Sequence, residues 1–338
     1  MDAKQYLNKL VERHDLAADE AADLIDHIAL GEFTQAQIGG ILTALRMKGE
    51  TVDEVAGLVK GMRRHMLKVN GGSDAIDVVG TGGDGIGTFN ISTASALVVA
   101  GAEVKVAKHG NRAASSKCGS ADVLEELGVN INLTSQTAQK VLKDVGMVFL
   151  FAPLFHPAMK LIAPVRKELG FRTVFNFLGP FLNPAGVKRM LMGLPNIEIA
   201  KKLSKVAGKL DYEYLLMIAG GDGVDEISLS GKTKGFEIRG NKIKPVVINP
   251  QELGFKNMGI GEVLGGDAKE NAEIIEEILG DEDGAKKDTV VLNSAYALLV
   301  SGKAKDIREG IKLAKDSISS GKAKTALKQL IEESGKYA

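Results

Sequence analysis

The chain has 338 residues, of which 44% are hydrophobic and 25% charged, a composition typical of a globular protein with a sizeable core. The chain has 43 basic residues (Lys and Arg) and 43 acidic residues (Asp and Glu), so its formal net charge is zero. A zero net charge argues against a protein that binds nucleic acid through its overall charge. The single cysteine, Cys118, excludes an intramolecular disulfide framework. No apolar run is long enough to cross a bilayer and no hydrophobic leader opens the chain, so we expect a cytoplasmic protein without a membrane partner.

The first 68 residues carry apolar side chains at helical spacing and no strand pattern. Asp19, Thr34 and Thr51 are the predicted N-caps of the last three helices. The helices are predicted over residues 5–14, 19–30, 34–48 and 52–66. This pattern predicts a small all-helical N-terminal domain over residues 1–68.

After a linker at residues 69–73, short apolar runs alternate with helical segments, which is typical of a parallel sheet covered by helices. The runs lie at residues 76–79, 104–107, 147–151, 190–194 and 214–219. Three further runs predict a short antiparallel meander, at residues 227–229, 235–239 and 246–248. From residue 268 onward the pattern is helical. The sequence therefore predicts an α/β fold, with a large α/β domain over residues 74–338 that has a mainly parallel central sheet and a helical C-terminus.

Residues 80–85 (GTGGDG) follow the first predicted strand and match a G-x-G-x-x-G loop. In open α/β sheets, ligands bind beyond the carboxyl ends of the strands. A nicotinamide site needs an acid at the end of the next strand, where Lys108 and His109 stand instead. Asp84 inside the loop would repel a pyrophosphate unless a cation intervened. The loop therefore favours a metal-bound phosphate over an oxidoreductase, and a tight turn that binds nothing is the structural alternative.

Three further segments have polar residues suited to the same chemistry. Residues 88–93 place amide and hydroxyl groups at a predicted helix N-terminus, which attracts anions but is also an ordinary capping sequence. Residues 108–125 combine three cations with several hydroxyls, which suits a phosphorylated ligand. Asp225 and Glu226 follow a glycine-rich turn, from which both could serve one Mg²⁺ site, although an acid pair in a loop is also common on solvated surfaces.

Taken in order along the chain, these motifs resemble those of the anthranilate phosphoribosyltransferase family. The matching segments are residues 80–85, 90–93, 108–125, 155–158, 175–185, 223–226, 265–267 and 270–272. Two residues depart from the pattern we expect, Cys118 in place of Ser and Phe181 in place of Leu, and neither removes a charged or metal-binding group. The resemblance implies transfer of the phosphoribosyl group of 5-phosphoribosyl-1-pyrophosphate (PRPP) to the amine of anthranilate, in tryptophan biosynthesis.

The resemblance also implies three sets of site residues. The donor PRPP is expected to bind Gly80, Gly83, Asp84, Thr88, Asn90, Ser92, Thr93, Lys108 and Ser120. Anthranilate is expected to bind Gly80, His109, Asn111, His156, Arg166, Gly179 and Pro180. Two Mg²⁺ ions per active site are expected, with Ser92, Asp225 and Glu226 as ligands. No residue is assigned as a general base, because the aromatic amine attacks with little help once it is positioned.

The family architecture further implies a hinge and a dimer. Part of residues 160–188 is expected to join the helical domain at the hinge, with the acceptor site between the two domains. The helical domain is expected to form a homodimer. One alternative is a pyrimidine nucleoside phosphorylase-like enzyme. Another is a non-catalytic relative that binds nucleic acid, and the zero net charge and the intact Asp225-Glu226 pair argue against this second alternative. Cys118 is interpreted as a small residue tolerated in place of Ser rather than as a reactive thiolate activated by Lys117.

Overall fold

Four helices form the N-terminal part of the computed structural model, which describes residues 1–82, 85–113 and 116–338. They are α1 (Ala3–Val11), α2 (Ala18–Ala29), α3 (Gln35–Lys48) and α4 (Val52–Arg64). Thr34 and Thr51 are N-caps as predicted, and each hydroxyl accepts a backbone N–H three residues on. The predicted N-cap Asp19 is wrong: α2 begins one residue earlier, because the Glu20 carboxylate accepts the Ala17 N–H at 2.7 Å and so caps the helix from within.

Close backbone contact holds this helical unit together. A Cβ at Gly57 of α4 would lie 2.1 Å from the Ala18 carbonyl oxygen, and one at Gly61 would lie 2.6 Å from that of Ala22. Glycine at these two positions therefore lets α4 lie directly against α2. A later helix, residues Met159–Leu169, also packs on this unit by contacting α2 and α3.

A seven-stranded sheet forms the centre of the remaining chain, in the order β3-β2-β1-β4-β5-β6-β7. The strands are β1 (Ile76–Gly80), β2 (Val106–Gly110), β3 (Met147–Phe151), β4 (Arg189–Gly193), β5 (Tyr214–Ala219), β6 (Thr233–Arg239) and β7 (Lys242–Ile248). Neighbouring strands from β3 to β5 pair in parallel, and β6 and β7 add antiparallel pairs. The predicted α/β fold with a mainly parallel sheet is confirmed.

The predicted meander has two strands rather than three. Residues 227–229 are buried but form no strand, because other partners take up their backbone groups. The side-chain amide of Asn293 accepts the Ile227 N–H at 3.0 Å and donates to the Ile227 carbonyl at 2.9 Å. The Thr233 hydroxyl accepts the Ser228 N–H. These contacts come from side chains outside the run, so the apolar pattern alone did not indicate them.

Helices connect and cover the strands. They are α5 (Ile91–Gly101), α6 (Ser120–Glu126), α7 (Ser135–Val145), α8 (Ala152–Phe155), α9 (Met159–Leu169), α10 (Phe175–Leu178), α11 (Ile197–Ala207), α12 (Ala268–Leu279), α13 (Ala285–Ser301), α14 (Ile307–Ser319) and α15 (Lys322–Gly335). Short 3₁₀ turns occupy Gly179–Leu182, Pro250–Leu253 and Ile260–Val263. The predicted helical C-terminus is confirmed. Within the described ranges, none of the helices has both the length and the apolar character needed to cross a bilayer.

The strand order creates a crevice at one place along the sheet. β1 continues through α5 to β2 on one side, and β4 continues through α11 to β5 on the other. The direction of winding therefore reverses between the adjacent strands β1 and β4. In open α/β sheets, ligands bind beyond the carboxyl ends of the strands at such a switch point.

Candidate active site

A cavity of about 310 Å³ lies at the carboxyl ends of β1 and β2, within the size range of small-molecule sites. Residues of the glycine loop, the start of α5, the end of β2 and the turn after β5 line it. It brings together ten of the residues predicted from the sequence: Gly80, Thr88, Asn90, Ser92, Lys108, His109, Asn111, Ser120, Asp225 and Glu226.

Other predicted site residues lie elsewhere. Thr93 is fully buried in α5, and its hydroxyl has no hydrogen-bond partner among the described residues. Gly83 and Asp84 lie outside the described residues. Four residues predicted to bind the acceptor do not line the cavity as described: His156, Arg166, Gly179 and Pro180.

Lys108 is a buried lysine that lines the cavity. Its Nζ donates to the Val78 carbonyl at 2.7 Å and to the Ser92 hydroxyl at 3.2 Å. Only 1% of the residue is exposed. Burial lowers the pKa of Lys108, whereas the charges of Asp77, Glu226 and Asp225 favour its protonated form. The lysine is thus a cation placed beside hydroxyl and carboxylate groups at the end of two strands.

Glycines allow the acid-bearing turn to close over the strand ends. A Cβ at Gly80 would lie 2.7 Å from a carboxylate oxygen of Asp225, and one at Gly193 would lie 1.5 Å from the Asp225 carbonyl oxygen. The Gly82 N–H donates to the Asp225 carboxylate at 2.5 Å. Asp222 fastens the same turn by accepting hydrogen bonds from the hydroxyls of Ser228 and Ser230. The turn places both acids at the cavity, which a strand could not do.

The two carboxylates fit a magnesium site. Asp225 and Glu226 are buried at the cavity wall, and hard oxygen ligands are those that Mg²⁺ prefers. Among the described residues, no cluster of three or more acid, histidine or cysteine side chains forms a protein-only metal cage. Mg²⁺ commonly uses one or two carboxylates together with substrate phosphates and water, so two acids suffice.

Asn90 connects the cavity to two other segments. Its side-chain oxygen accepts from the Asn271 amide at 2.9 Å and from the Cys118 thiol at 3.3 Å. Its own amide donates to the Cys118 carbonyl. Burial raises the pKa of Cys118 to about 11, which supports the interpretation of a small packed residue rather than a reactive thiolate. Sequence reasoning gave Asn271 no role, although it lies in one of the matching segments.

His109 and His156 form a buried pair beside the cavity. Their Nε2 atoms are 3.1 Å apart and the rings meet edge to face. Burial lowers the pKa of His156 to about 4. Burial, and then the neighbouring His156, lower the pKa of His109 well below its ordinary value, while the Gly179 carbonyl opposes this by a hydrogen bond. Both rings are therefore neutral at neutral pH. His109 joins the cavity to His156 and to the segment that begins at Gly179.

Arg166 lies on α9, near the helical unit. Its Nε is buried and has no hydrogen-bond partner among the described residues. Burial lowers the pKa of the guanidinium but does not deprotonate it, because arginine stays charged in proteins. An unused N–H on a planar guanidinium suits a carboxylate, which accepts two parallel hydrogen bonds.

Sequence reasoning missed Asp77 and Asn183. Asp77 is fully buried in β1, and its carboxylate accepts from the His109 N–H and the Asn183 amide. The available signal was the acid itself, because a charged residue in an otherwise apolar buried strand is rare unless it is paired.

Comparison with known proteins identifies the family. Residues 72–324 match the α/β domain of a glycosyl transferase family, and residues 4–66 match its helical bundle domain. The anthranilate phosphoribosyltransferase of Methanobrevibacter smithii is 46% identical over 97% of this chain and 98% of that relative. The chain belongs to the anthranilate phosphoribosyltransferase family. The family predicted from the motifs is thereby confirmed, and the phosphorylase, nucleic-acid-binding and oxidoreductase alternatives gain no support.

Solved structures agree with this assignment. The anthranilate phosphoribosyltransferase of Thermus thermophilus superposes with a TM-score of 0.91 at 36% identity, covering 99% of this chain and 100% of that one. The Saccharomyces cerevisiae enzyme in complex with PRPP and Mg superposes with a TM-score of 0.88 at 29% identity, covering 99% and 98%. The yeast enzyme has also been solved in complex with 4-fluoroanthranilate.

Proposed function

We propose that this protein transfers the 5-phosphoribosyl group of PRPP to the amine of anthranilate, giving N-(5-phosphoribosyl)anthranilate and pyrophosphate, the second step of tryptophan biosynthesis. One observation carries the proposal. A buried lysine, the start of a helix and two buried carboxylates line one cavity at the switch point of the sheet. The chain that forms this cavity belongs to the anthranilate phosphoribosyltransferase family. This combination suits a substrate that carries both phosphates and a metal ion.

The donor is proposed to bind at the carboxyl ends of β1 and β2. Asn90 is the N-cap of α5 and makes no side-chain capping bond. The N–H groups of Ile91 and Thr93 donate to the Phe89 and Asn90 carbonyls, so the start of α5 attracts an anion chiefly through the helix dipole and the Ser92 N–H. Lys108 adds a positive charge beside them. The proposed donor residues are those predicted from the motifs: Gly80, Gly83, Asp84, Thr88, Asn90, Ser92, Thr93, Lys108 and Ser120.

Magnesium is proposed to bind with the pyrophosphate end of the donor. Asp225 and Glu226, with the Ser92 hydroxyl, are the proposed protein ligands, and we propose two ions per active site. The S. cerevisiae structure with PRPP and Mg supports the metal dependence. A divalent cation neutralises the charge that develops on the leaving pyrophosphate.

The acceptor is proposed to bind between the buried histidine pair and α9. The unused Nε–H of Arg166 is suited to the anthranilate carboxylate, and His109, Asn111, His156, Gly179 and Pro180 are proposed to surround the ring. The amine nitrogen attacks ribose C1 as the bond to pyrophosphate breaks, and its proton leaves afterwards. We assign no general base, since positioning and electrostatic stabilisation account for the catalysis.

We propose that residues 1–68, joined by part of residues 160–188 at the hinge, move as one small domain relative to the rest of residues 74–338. The contacts of α9 with α2 and α3 support this division. Closure would exclude water from the activated ribose.

We also propose a homodimer formed through the helical domain, since Leu30 and Met47 there are large apolar side chains that are mostly exposed. Sedimentation equilibrium tests this, and a monomer at micromolar concentration would contradict it.

The activity is tested by anthranilate fluorescence after addition of PRPP, Mg²⁺ and protein. We expect the fluorescence to fall only when donor and metal are both present, and to stay constant with EDTA. Asp225→Asn/Glu226→Gln is the variant control, and we expect its rate to fall by roughly 10²–10³-fold because the leaving group loses its neutralising ion. Unchanged fluorescence with folded wild-type protein in saturating Mg²⁺ would contradict the proposed function.

A further inference from the structure

Arg63, near the end of α4, connects the helical unit to the sheet domain through three hydrogen bonds. Its Nε donates to the Phe181 carbonyl at 2.8 Å, its Nη1 to the Asp211 carboxylate at 2.9 Å, and its Nη2 to the Tyr212 hydroxyl at 3.1 Å. All three acceptors lie outside the helical unit. A guanidinium can reach them simultaneously because its donors form a rigid planar fork.

The Phe181 carbonyl belongs to the segment that bears two proposed acceptor residues. Gly179, Pro180 and Phe181 follow one another in one 3₁₀ turn. The Phe181 side chain is fully buried, and its ring lies against that of Tyr212 with centroids 6.3 Å apart. Phe181 is also one of the two departures from the expected family pattern. The turn is thus fastened to Arg63 by its backbone and to Tyr212 by its side chain.

The same segment has a second attachment two residues later. The Asn183 amide donates to Asp77 in β1 and to the Ala107 carbonyl in β2. Asn183 therefore fixes the end of the segment to the sheet, while Arg63 fixes its middle to the helical unit. The position of Gly179 and Pro180 relative to His109 depends on both attachments.

We infer that Arg63 is a positioning residue for the acceptor: it sets the place of the turn that holds Gly179 and Pro180, and links that place to the position of the helical unit. The inference rests on the proposed function. None of the three hydrogen bonds of Arg63 goes to a proposed donor or metal residue, and one goes to the turn that holds Gly179 and Pro180. Its effect is therefore expected on acceptor binding, through the turn, rather than on the chemistry of the donor.

The test compares Arg63→Gln with Asp53→Asn. Asp53 also pairs across the two parts of the chain, with Lys209 at 2.7 Å, but both side chains are about half exposed and neither is hydrogen-bonded to the Gly179–Leu182 turn. We expect Arg63→Gln to raise the KM for anthranilate roughly tenfold, because the turn loses one anchor and a displacement of about 1 Å can cost up to about 10²-fold. The KM for PRPP should stay within about twofold. Asp53→Asn should change neither value.

Two milder variants keep the test decisive if Arg63→Gln fails to fold. Arg63→Lys retains the charge but not the fork, and Tyr212→Phe removes one anchor of the guanidinium while leaving the Phe181 carbonyl bond. Both should raise the KM for anthranilate less than Arg63→Gln does. An unchanged KM for anthranilate, or equal increases in both KM values with a lower melting temperature, would overturn the inference. Wild-type protein that consumes no anthranilate would overturn the proposed function as well, so the two failures are distinguishable.

Discussion

The side-chain amide of Asn183 donates to the Asp77 carboxylate at 2.8 Å inside the sheet, although 106 positions separate the two residues. Asp77 also accepts the His109 N–H, and the Asn183 oxygen accepts the Ala185 N–H. One buried network thus joins β1, β2 and the segment that follows Leu182. The strand that ends in the donor loop and the segment that begins at Gly179 are therefore fixed to each other by hydrogen bonds within the protein.

Asp77 makes the stability of the protein depend on pH in an unusual direction. Burial raises the pKa of Asp77 to about 6, and Lys108 only partly opposes this. Because the native state holds the proton more tightly than the unfolded chain, the contribution of this group to stability is present below about pH 4 and is lost as pH rises through about 6. The free energy of unfolding of wild-type protein, relative to Asp77→Asn, should decrease by about 3 kcal/mol over that interval.

Urea denaturation at a series of pH values measures this difference. Asp19→Asn is the matched control for the substitution itself, because Asp19 is exposed and lies outside the buried network. A difference between wild type and Asp77→Asn that is constant from pH 4 to pH 7 would show that Asp77 titrates normally, and would contradict the prediction.

Local patterns predicted most of the fold, and the exceptions have physical causes. β3 and β5 match their predicted bounds because each is a continuous apolar run. β2 continues past the predicted apolar run at residues 104–107 and includes Lys108 and His109, which the prediction placed at the end of this strand. Their polar groups are satisfied by Val78, Ser92 and Asp77, and these partners come from other elements. A single sequence does not show that such partners exist.

For the candidate site as well, contiguous motifs were predictable from the sequence, whereas contacts between distant segments were not. Residues in contiguous motifs next to strand ends converge in one cavity, as the switch-point rule predicts. Arg166 and Gly179 were reached only through the family resemblance, because no spacing rule connects α9 or a 3₁₀ turn to the glycine loop. Arg63 was not reached at all, since its three partners lie between 118 and 149 positions away.

Gly80→Ala should disrupt the acid-bearing turn. The added Cβ would lie 2.7 Å from the Asp225 carboxylate, closer than real contacts allow, so the carboxylate must move. We expect a loss of activity of roughly 10²-fold, since a displacement of about 1 Å can have that effect, with a higher Mg²⁺ requirement. The measurement is the Mg²⁺ dependence of the rate.

Gly259→Ala is the control for this substitution. Gly259 has an ordinary backbone conformation and nothing within 4 Å of an added Cβ, so the rate and the Mg²⁺ dependence should match wild type. If Gly80→Ala kept the wild-type Mg²⁺ dependence, the close approach of β1 to Asp225 would not matter for metal binding.

His109 and His156 should stay neutral well below neutral pH. Both have lowered pKa values, chiefly because they are buried, and His156 is lowered to about 4. The unfolded chain takes up these two protons near pH 6.5 and the native state does not, so their contribution to stability falls as pH drops below about 6.5. In proton NMR, the ring resonances of two of the five histidines should not shift between pH 8 and 5.5.

His109→Asn assigns one of the two resonances by its disappearance. If the ring resonances of His109 and His156 instead shifted with a midpoint near pH 6.5, the pair would take up a proton over this range. The neutral hydrogen-bonded pair inferred from the 3.1 Å contact would then be wrong.

Cys118 should be unreactive in the native protein even though it lines the cavity. Because burial raises its pKa to about 11, only a very small fraction of the thiol is ionised at neutral pH, and the thiolate is the reactive form. Titration with a chromogenic disulfide should therefore modify native protein slowly and urea-unfolded protein rapidly, to one equivalent per chain.

Cys118→Ser should keep the rate of anthranilate consumption within about twofold, because a hydroxyl can also donate to the Asn90 oxygen. Rapid modification of native protein that PRPP and Mg²⁺ prevent would instead indicate an activated thiol at the donor site.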